Sequence, residues 1–65
     1  MTNLMPEIPD TARYTVGETA EILRIDRRTI HKYTKLGLIK FGIRRINNRK
    51  FYTGFEIKRF WKATA

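Results

Sequence analysis

Cysteine and serine are both missing from this chain of 65 residues. Without cysteine there is no disulfide framework, no thiolate zinc site and no cysteine nucleophile. The chain also has no serine nucleophile, no glycine-rich phosphate loop and no pair of carboxylates in its basic part. Its single histidine, His31, has no histidine or cysteine partner for a metal. We therefore expect a protein that is not an enzyme and that uses neither a metal nor another cofactor.

Long apolar runs are missing as well. No segment has the length and hydrophobicity of a membrane span, and the N-terminus lacks the basic-then-apolar order of a signal peptide. We therefore expect no membrane partner and a cytoplasmic location. Hydrophobic residues make up 42% of the sequence, which is enough to build the small core of one domain.

Positive charge is abundant, and it is concentrated in one part of the chain. Residues 1–26 hold two bases and five acids, a net charge of −3. Residues 27–65 hold twelve bases and one acid, a net charge of +11. A charge distribution polarised in this way attracts a polyanion, although a basic surface without any partner has the same composition.

The first twelve residues differ from the rest. Pro6 and Pro9 interrupt helix formation there, and few neighbouring side chains could pack into a core. We therefore predict a flexible N-terminal lead-in over residues 1–12 and a folded domain over residues 13–65.

Two short helices joined by a tight turn are predicted between residues 15 and 36. Thr15 and Glu18 have the spacing of a capping box, which marks the start of the first helix. Asp26 is a suitable N-cap for the second helix, and Gly37 supplies the left-handed residue that ends it. Ile25, in the turn, is expected to plug the space between the helices.

The second helix has an apolar side and a basic side. Helical spacing predicts that Ile30 and Tyr33 face inward and that Leu36 and Leu38 close the far end of the core. The polar residues that remain outside or partly outside are Arg27, Arg28, Thr29, His31, Lys32 and Lys35.

A β-hairpin is predicted next. Ile39, Phe41 and Ile43 alternate with polar residues, which is typical of a half-buried strand, and residues 49–52 form the returning strand. Asn47 and Asn48 tolerate the positive φ of a tight turn. The tip concentrates four bases and two amides: Arg44, Arg45, Asn47, Asn48, Arg49 and Lys50.

Two further features complete the local pattern. Gly42 inside the first strand predicts a bulge or a close approach of the backbone to another group. Thr53 and Glu56 form a second capping box, which predicts a third helix with a stripe of apolar residues, Ile57, Phe60 and Trp61. Ile46, apolar at the tip of a basic hairpin, could contact a sugar or a neighbouring protomer.

The aromatic residues have two interpretations. Exposed aromatics would suggest a platform for stacking the bases of RNA or single-stranded DNA. Most of these residues, however, fall at inward-facing positions of the predicted elements, so we assign them to the core. Tyr52 is the expected exception, because it alternates out of phase with Phe51.

Three segments resemble a known family. TVGETAEIL (residues 15–23), DRRTIHKY (26–33) and LGLI (36–39), followed by the basic hairpin, Phe51 and a short final helix, resemble the small excisionase and MerR-type DNA-binding domains. The resemblance covers residues 15 to about 61. It implies an α+β fold, a small winged helix-turn-helix with three short helices and a β-hairpin wing between the second and the third.

The chain departs from the MerR regulators in one respect. Those proteins follow the domain with a long dimerisation helix and an effector-binding domain, and this sequence has neither. We therefore expect no small-molecule effector, and the resemblance favours an excisionase, a recombination directionality factor. Such a protein binds and bends double-stranded DNA to help a site-specific recombinase, with neighbouring copies of itself on the DNA.

The resemblance also implies a setting and a close alternative. It implies a bacterial or phage-type protein associated with the nucleoid, encoded on a mobile genetic element. A small phage- or plasmid-type transcriptional regulator fits the same sequence. A protein-interaction module and an RNA binder are alternatives of another class.

DNA contacts are expected from both basic elements. Side chains near the N-terminal end of a recognition helix reach base edges. We favour Arg28, His31 and Lys32 for the bases, whereas Arg27, Thr29 and Lys35 are expected to touch phosphates. The six polar residues of the hairpin tip are expected to contact the minor groove or the backbone.

Overall fold

The computed structural model describes residues 2–64, which form three short helices and one three-stranded antiparallel sheet. The predicted α+β class and the winged helix-turn-helix arrangement are confirmed. The elements are β1 (Arg13–Thr15), α1 (Val16–Leu23), α2 (Arg27–Lys35), β2 (Gly42–Ile43), β3 (Lys50–Thr53) and α3 (Gly54–Thr64).

The sheet has the strand order β1-β3-β2, so the last strand of the sequence lies in the centre. Tyr14 of β1 lies opposite Tyr52, and Gly42 of β2 lies opposite Phe51. β1 was not predicted, because its three residues are too few to show alternation. The predicted hairpin is present, but only two residues of its first strand pair with β3.

The first helix begins where the capping box predicts. The Thr15 side chain accepts a hydrogen bond from the Glu18 N–H at 3.2 Å, and the Glu18 carboxylate accepts one from the Thr15 N–H at 3.0 Å. The helix ends at Leu23, because Arg24 adopts a left-handed conformation with φ 56°. The Ile25 N–H then donates back to the Ala20 carbonyl, which closes the tight turn between the helices.

Both predicted boundaries of α2 are confirmed. The Asp26 carboxylate accepts a hydrogen bond from the Arg28 N–H at 3.0 Å. At the other end Gly37 has φ 77°, and the Leu38 N–H donates to the Tyr33 carbonyl at 2.9 Å. This Schellman motif reverses the chain and directs it toward the sheet.

The core lies between the helices and the inner face of the sheet. Its buried hydrophobic side chains come from every helix, from β3 and from the segment before β2. They are Ala20, Leu23, Ile30, Ile39, Tyr52, Ile57 and Phe60.

Tyr52 is at the centre of this core, and the prediction that it is exposed was wrong. Its side chain has no exposed surface, and its hydroxyl lies 2.6 Å from the Thr34 hydroxyl. Because Thr34 donates its one hydrogen to the Ile30 carbonyl, Tyr52 is the donor in this pair. Neighbouring side chains of a strand point to opposite faces, and the face of β3 that packs on the core carries Tyr52, whereas Phe51 lies on the other face against Gly42.

Four residues that were predicted to face inward are instead exposed: Leu36, Leu38, Phe41 and Ile43. Leu36 and Leu38 lie outside because the left-handed residue between them turns the chain, and Ile39 enters the core instead. Phe41 also lies outside, where its ring meets the ammonium group of Lys50 at 5.1 Å. The expected close approach at Gly42 is confirmed, since a Cβ there would lie 2.3 Å from the Phe51 ring.

Residues 2–12 run along the domain and bond to it at both ends. The Thr2 N–H donates to the Leu23 carbonyl at 2.9 Å, and the Thr2 carbonyl accepts from the Trp61 indole at 3.0 Å. At the other end a Cβ on Gly54 would lie 1.9 Å from the Pro9 carbonyl oxygen, so glycine is needed where the segment crosses α3. The flexibility of this segment stays a prediction.

The start of α3 contains half of the predicted capping box. The Thr53 hydroxyl accepts from the Glu56 N–H at 3.3 Å. The Glu56 carboxylate pairs with Arg59 at 2.9 Å, while Lys58 forms an ion pair with Asp10 of the N-terminal segment. The acids of this side of the domain are thereby matched with nearby bases.

Candidate nucleic-acid interface

The outer face of α2 presents a row of exposed bases. Ile30 and Thr34 hold the opposite face in the core. A turn of 3.6 residues therefore places His31 and Lys32 toward solvent, while the half-buried Tyr33 packs against Phe60. Thr29 is half-buried, and the predicted site residues that are exposed are Arg27, Arg28, His31, Lys32 and Lys35.

The hairpin tip, residues 44–50, forms the wing and is held by bonds within its own backbone. The Arg44 N–H donates to the Arg49 carbonyl at 2.9 Å, and the Asn48 N–H donates to the Arg44 carbonyl at 2.8 Å. Asn48 has the predicted positive φ, 54°, and the Asn47 amide oxygen accepts from the Arg49 N–H at 3.1 Å. All the predicted wing residues are exposed, and so is Ile46, at 99%.

A groove of about 370 Å³ joins the two basic elements. Arg27 and His31 of α2 line it on one side, and Arg49 and Lys50 of the wing line it on the other. Residues 15–17, at the start of α1, form its floor. The fold therefore brings together four of the residues that the sequence assigned separately to a helix and to a hairpin.

Arg27 has a defined position in this groove. A Cβ on Gly17 would lie 2.8 Å from Arg27 Nη2 and 3.2 Å from Cζ, so the guanidinium rests directly on the glycine backbone. Sequence reasoning missed this role of Gly17. The signal available was a glycine near the start of a helix, where its low helix propensity has a cost that needs a compensating reason.

Replacing Gly17 with alanine is expected to lower the affinity for DNA without lowering the free energy of unfolding. Alanine favours the helix by about 1 kcal/mol, but its methyl group forces the Arg27 guanidinium to shift from its place against the backbone. We expect an unchanged or increased free energy of unfolding together with an affinity for duplex DNA that falls by about 1 kcal/mol, the size of one modest polar contact. Urea unfolding and fluorescence anisotropy measure the two quantities, and unchanged affinity would show that Arg27 contributes nothing from this position.

Glu18 lies next to residues of the groove, and its carboxyl group has a lowered pKa. Hydrogen bonds from the Thr15 backbone and side chain lower its pKa below the ordinary value, and the positive charge of Arg44 lowers it further. The carboxylate therefore remains ionised at neutral pH. The carboxylate accepts the hydrogen bond of the capping box and interacts with the positive charge of Arg44 in the wing.

The outer face of the sheet adds a base that the sequence analysis did not single out. The Arg13 guanidinium lies 5.0 Å from the centre of the Phe51 ring, which in turn covers Gly42. Arg13 also lines a second groove with Ile43, Ile46 and the wing bases Arg44 and Arg45. Its position follows from β1, so only recognition of that short strand could have identified it.

The remaining site residues lie apart from the first groove. Arg28, Lys32 and Lys35 occupy the exposed face of α2 without lining the groove. Within residues 2–64 no cluster of acids and histidine could hold a metal ion. None of the helices in that range has the length and apolar character needed to cross a bilayer.

Comparison with known families places most of the chain in one of them. A family model described as a helix-turn-helix domain matches residues 13–64. This span begins at the first residue of β1 and ends at the last residue of α3. No curated protein and no solved structure matches the chain.

Proposed function

We propose, for a chain that belongs to the helix-turn-helix domain family, that α2 enters the major groove of double-stranded DNA while the wing contacts the adjacent backbone. The family indicates double-stranded DNA as the partner. The observation that supports this docking is the groove in which bases of α2 and bases of the wing meet. One duplex can then contact both elements together.

Two classes of contact follow from position. Arg28 and Lys32 are one helical turn apart on the exposed face and reach base edges, where arginine can donate two hydrogen bonds to guanine. Arg27, Thr29 and Lys35 flank this pair and contact phosphates. Phosphate contacts fix the position of the protein on the duplex, and base contacts supply the sequence preference.

For the biological role we favour an excisionase-like recombination directionality factor. Several copies would bind adjacent sites and bend the DNA, and the bend would help a recombinase act in the direction of excision. The support is the resemblance of the helix pair and of the wing. Ile46, fully exposed at the wing tip, is available to meet a sugar or a neighbouring copy. A small transcriptional regulator is the alternative role.

One selection experiment separates these roles. The protein is incubated with a pool of random duplexes, the bound ones are amplified, and the enriched sequences are footprinted and tested for bending by gel mobility. Tandem, evenly spaced sites with a bend support the excisionase role. A single palindrome supports a dimeric regulator, and no enrichment contradicts both.

Two other classes of function predict different results. A module that docks an acidic protein would show negligible binding to any duplex at moderate salt. An RNA binder would prefer looped RNA in direct competition and would need several exposed aromatics. Of the eight aromatic residues, only Phe41 and Phe55 are exposed, so the structure favours DNA.

The wing is tested by replacing Arg45 and Arg49 together with alanine. If each neutralises one phosphate, the slope of log affinity against log salt should become shallower by about 1.8. Affinity should fall while the preferred sequence stays the same, because phosphate contacts do not read bases. Anisotropy titrations at several salt concentrations give the slope, and unchanged affinity would remove the wing from the interface.

A further inference from the structure

The groove between α2 and the wing has the composition of an anion site. Its polar side chains are the cations Arg27, Arg49 and Lys50, the imidazole of His31 and the hydroxyl of Thr15. No carboxylate lines it. Like charges drawn together by a fold repel one another, and an anion placed among them removes that repulsion.

The backbone that forms the floor of the groove also favours an anion. Val16 and Gly17 are the first residues of α1, where N–H groups have no acceptor within the helix. Such N–H groups donate to anions. Both residues line the same groove as the cationic side chains.

The acids near His31 are already engaged. Glu18 on α1 is bonded to Thr15 and faces Arg44, and Asp26 caps α2 through the Arg28 N–H. The other charged groups that line the groove with His31 are cations of α2 and of the wing: Arg27, Arg49 and Lys50. Further along α2, Arg28, Lys32 and Lys35 are exposed cations as well. A proton on His31 thus adds one more positive charge to a cationic space, and an anion in the groove would offset the repulsion.

We infer that this groove holds a single phosphate of the DNA backbone, and that His31 binds it as the protonated imidazolium together with Arg27, Arg49 and Lys50. The inference rests on the proposed binding of duplex DNA. It changes the role of His31, which the sequence placed among the base-reading residues. DNA binding is then coupled to the uptake of a proton, since the phosphate favours the charged form of the imidazole.

The sign of the coupling follows from linkage. If the complex binds more protons than the free protein does, affinity rises as pH falls through the range in which histidine titrates. His31 is the only histidine of the chain. A charge-assisted hydrogen bond gained on protonation is expected to strengthen binding roughly tenfold between pH 8 and pH 6.

The experiment measures affinity for a short fluorescent duplex across this pH range at fixed ionic strength. The natural chain is compared with His31→Gln, which is always neutral, and His31→Arg, which is always charged. We expect the natural protein to bind more tightly at low pH, and both variants to show little dependence on pH. His31→Arg should match the affinity of the natural protein at pH 6. The side chain is exposed, so circular dichroism should show that both variants fold.

A second duplex distinguishes a phosphate contact from a base contact. If His31 binds a phosphate, a random-sequence duplex shows the same pH dependence as the selected site. If the dependence is confined to the selected site, His31 reads a base and the inference is wrong. Duplex binding that is independent of pH, or a pH dependence that persists in His31→Gln, also overturns it. Absence of duplex binding at every pH would instead contradict the proposed function.

Discussion

Replacing Tyr52 with alanine is expected to leave the domain largely unfolded at physiological temperature. Removing a large buried aromatic side chain costs about 3–5 kcal/mol. A domain of this size has a total stability of about 3–5 kcal/mol. Tyr52 is fully buried at the centre of the sheet, and its ring packs among core residues that come from all three helices. Urea unfolding followed by far-ultraviolet circular dichroism measures the loss.

Tyr52→Phe is the matched control. It keeps the ring and removes only the hydroxyl that donates to Thr34. Thr34 remains bonded to the Ile30 carbonyl, so we expect a loss of about 1 kcal/mol and a folded protein. If the alanine variant were as stable as the phenylalanine variant, the position of Tyr52 in the core would be wrong.

Replacing Arg28 and Lys32 together with alanine is expected to remove most of the sequence preference. A side chain that reads a base contributes about 1–3 kcal/mol. The double variant should therefore lose about 2–6 kcal/mol on the selected site if the two contributions add. Binding to random duplex should weaken much less. Competition between selected and random duplexes gives the ratio of affinities directly.

A variant with the same change of charge provides the comparison. Arg59 and Lys62 lie on the exposed side of α3, away from the groove between α2 and the wing. Their replacement by alanine removes two positive charges and should leave the ratio of affinities unchanged. If replacing Arg28 and Lys32 weakens binding to all sequences equally, both residues contact phosphates. Other residues would then have to read the bases.

Features encoded within a few residues were predictable from the sequence. The capping box of α1, the Asp26 cap and the Gly37 stop each depend on neighbours in the chain, and all three are confirmed. The order of three helices and a hairpin follows from these signals. The turn that follows Leu23 was predicted as well, but the left-handed conformation of Arg24, with φ 56°, was not, because a non-glycine residue gives no local signal for it.

Features that depend on distant residues were not predictable. β1 exists because it pairs with β3, some forty residues later, and no pattern within its three residues indicates that partner. Tyr52 was assigned to the wrong face of β3 because the face that packs on the core depends on where the helices lie. Leu36 and Phe41 are apolar, and only the path of the chain after α2 determines that they remain exposed.

The candidate site was predictable as a set of residues and not as a geometry. Charge and spacing single out the bases of α2 and of the wing, and nearly all are exposed in the structure. Their DNA contacts stay predictions. His31 and Arg49 line one groove together with the start of α1. This could not be predicted, because it depends on where the hairpin lies relative to the helices.

The central place of β3 has a consequence for synthesis on the ribosome. Proteins emerge from the N-terminus first, and β1 must wait for a strand that is translated about forty residues later. The helix pair leaves the exit tunnel before Tyr52, so its apolar faces have no sheet to cover them at that stage. Ribosome-bound chains that end before β3 should therefore be sensitive to protease, whereas chains extended beyond α3 should resist it.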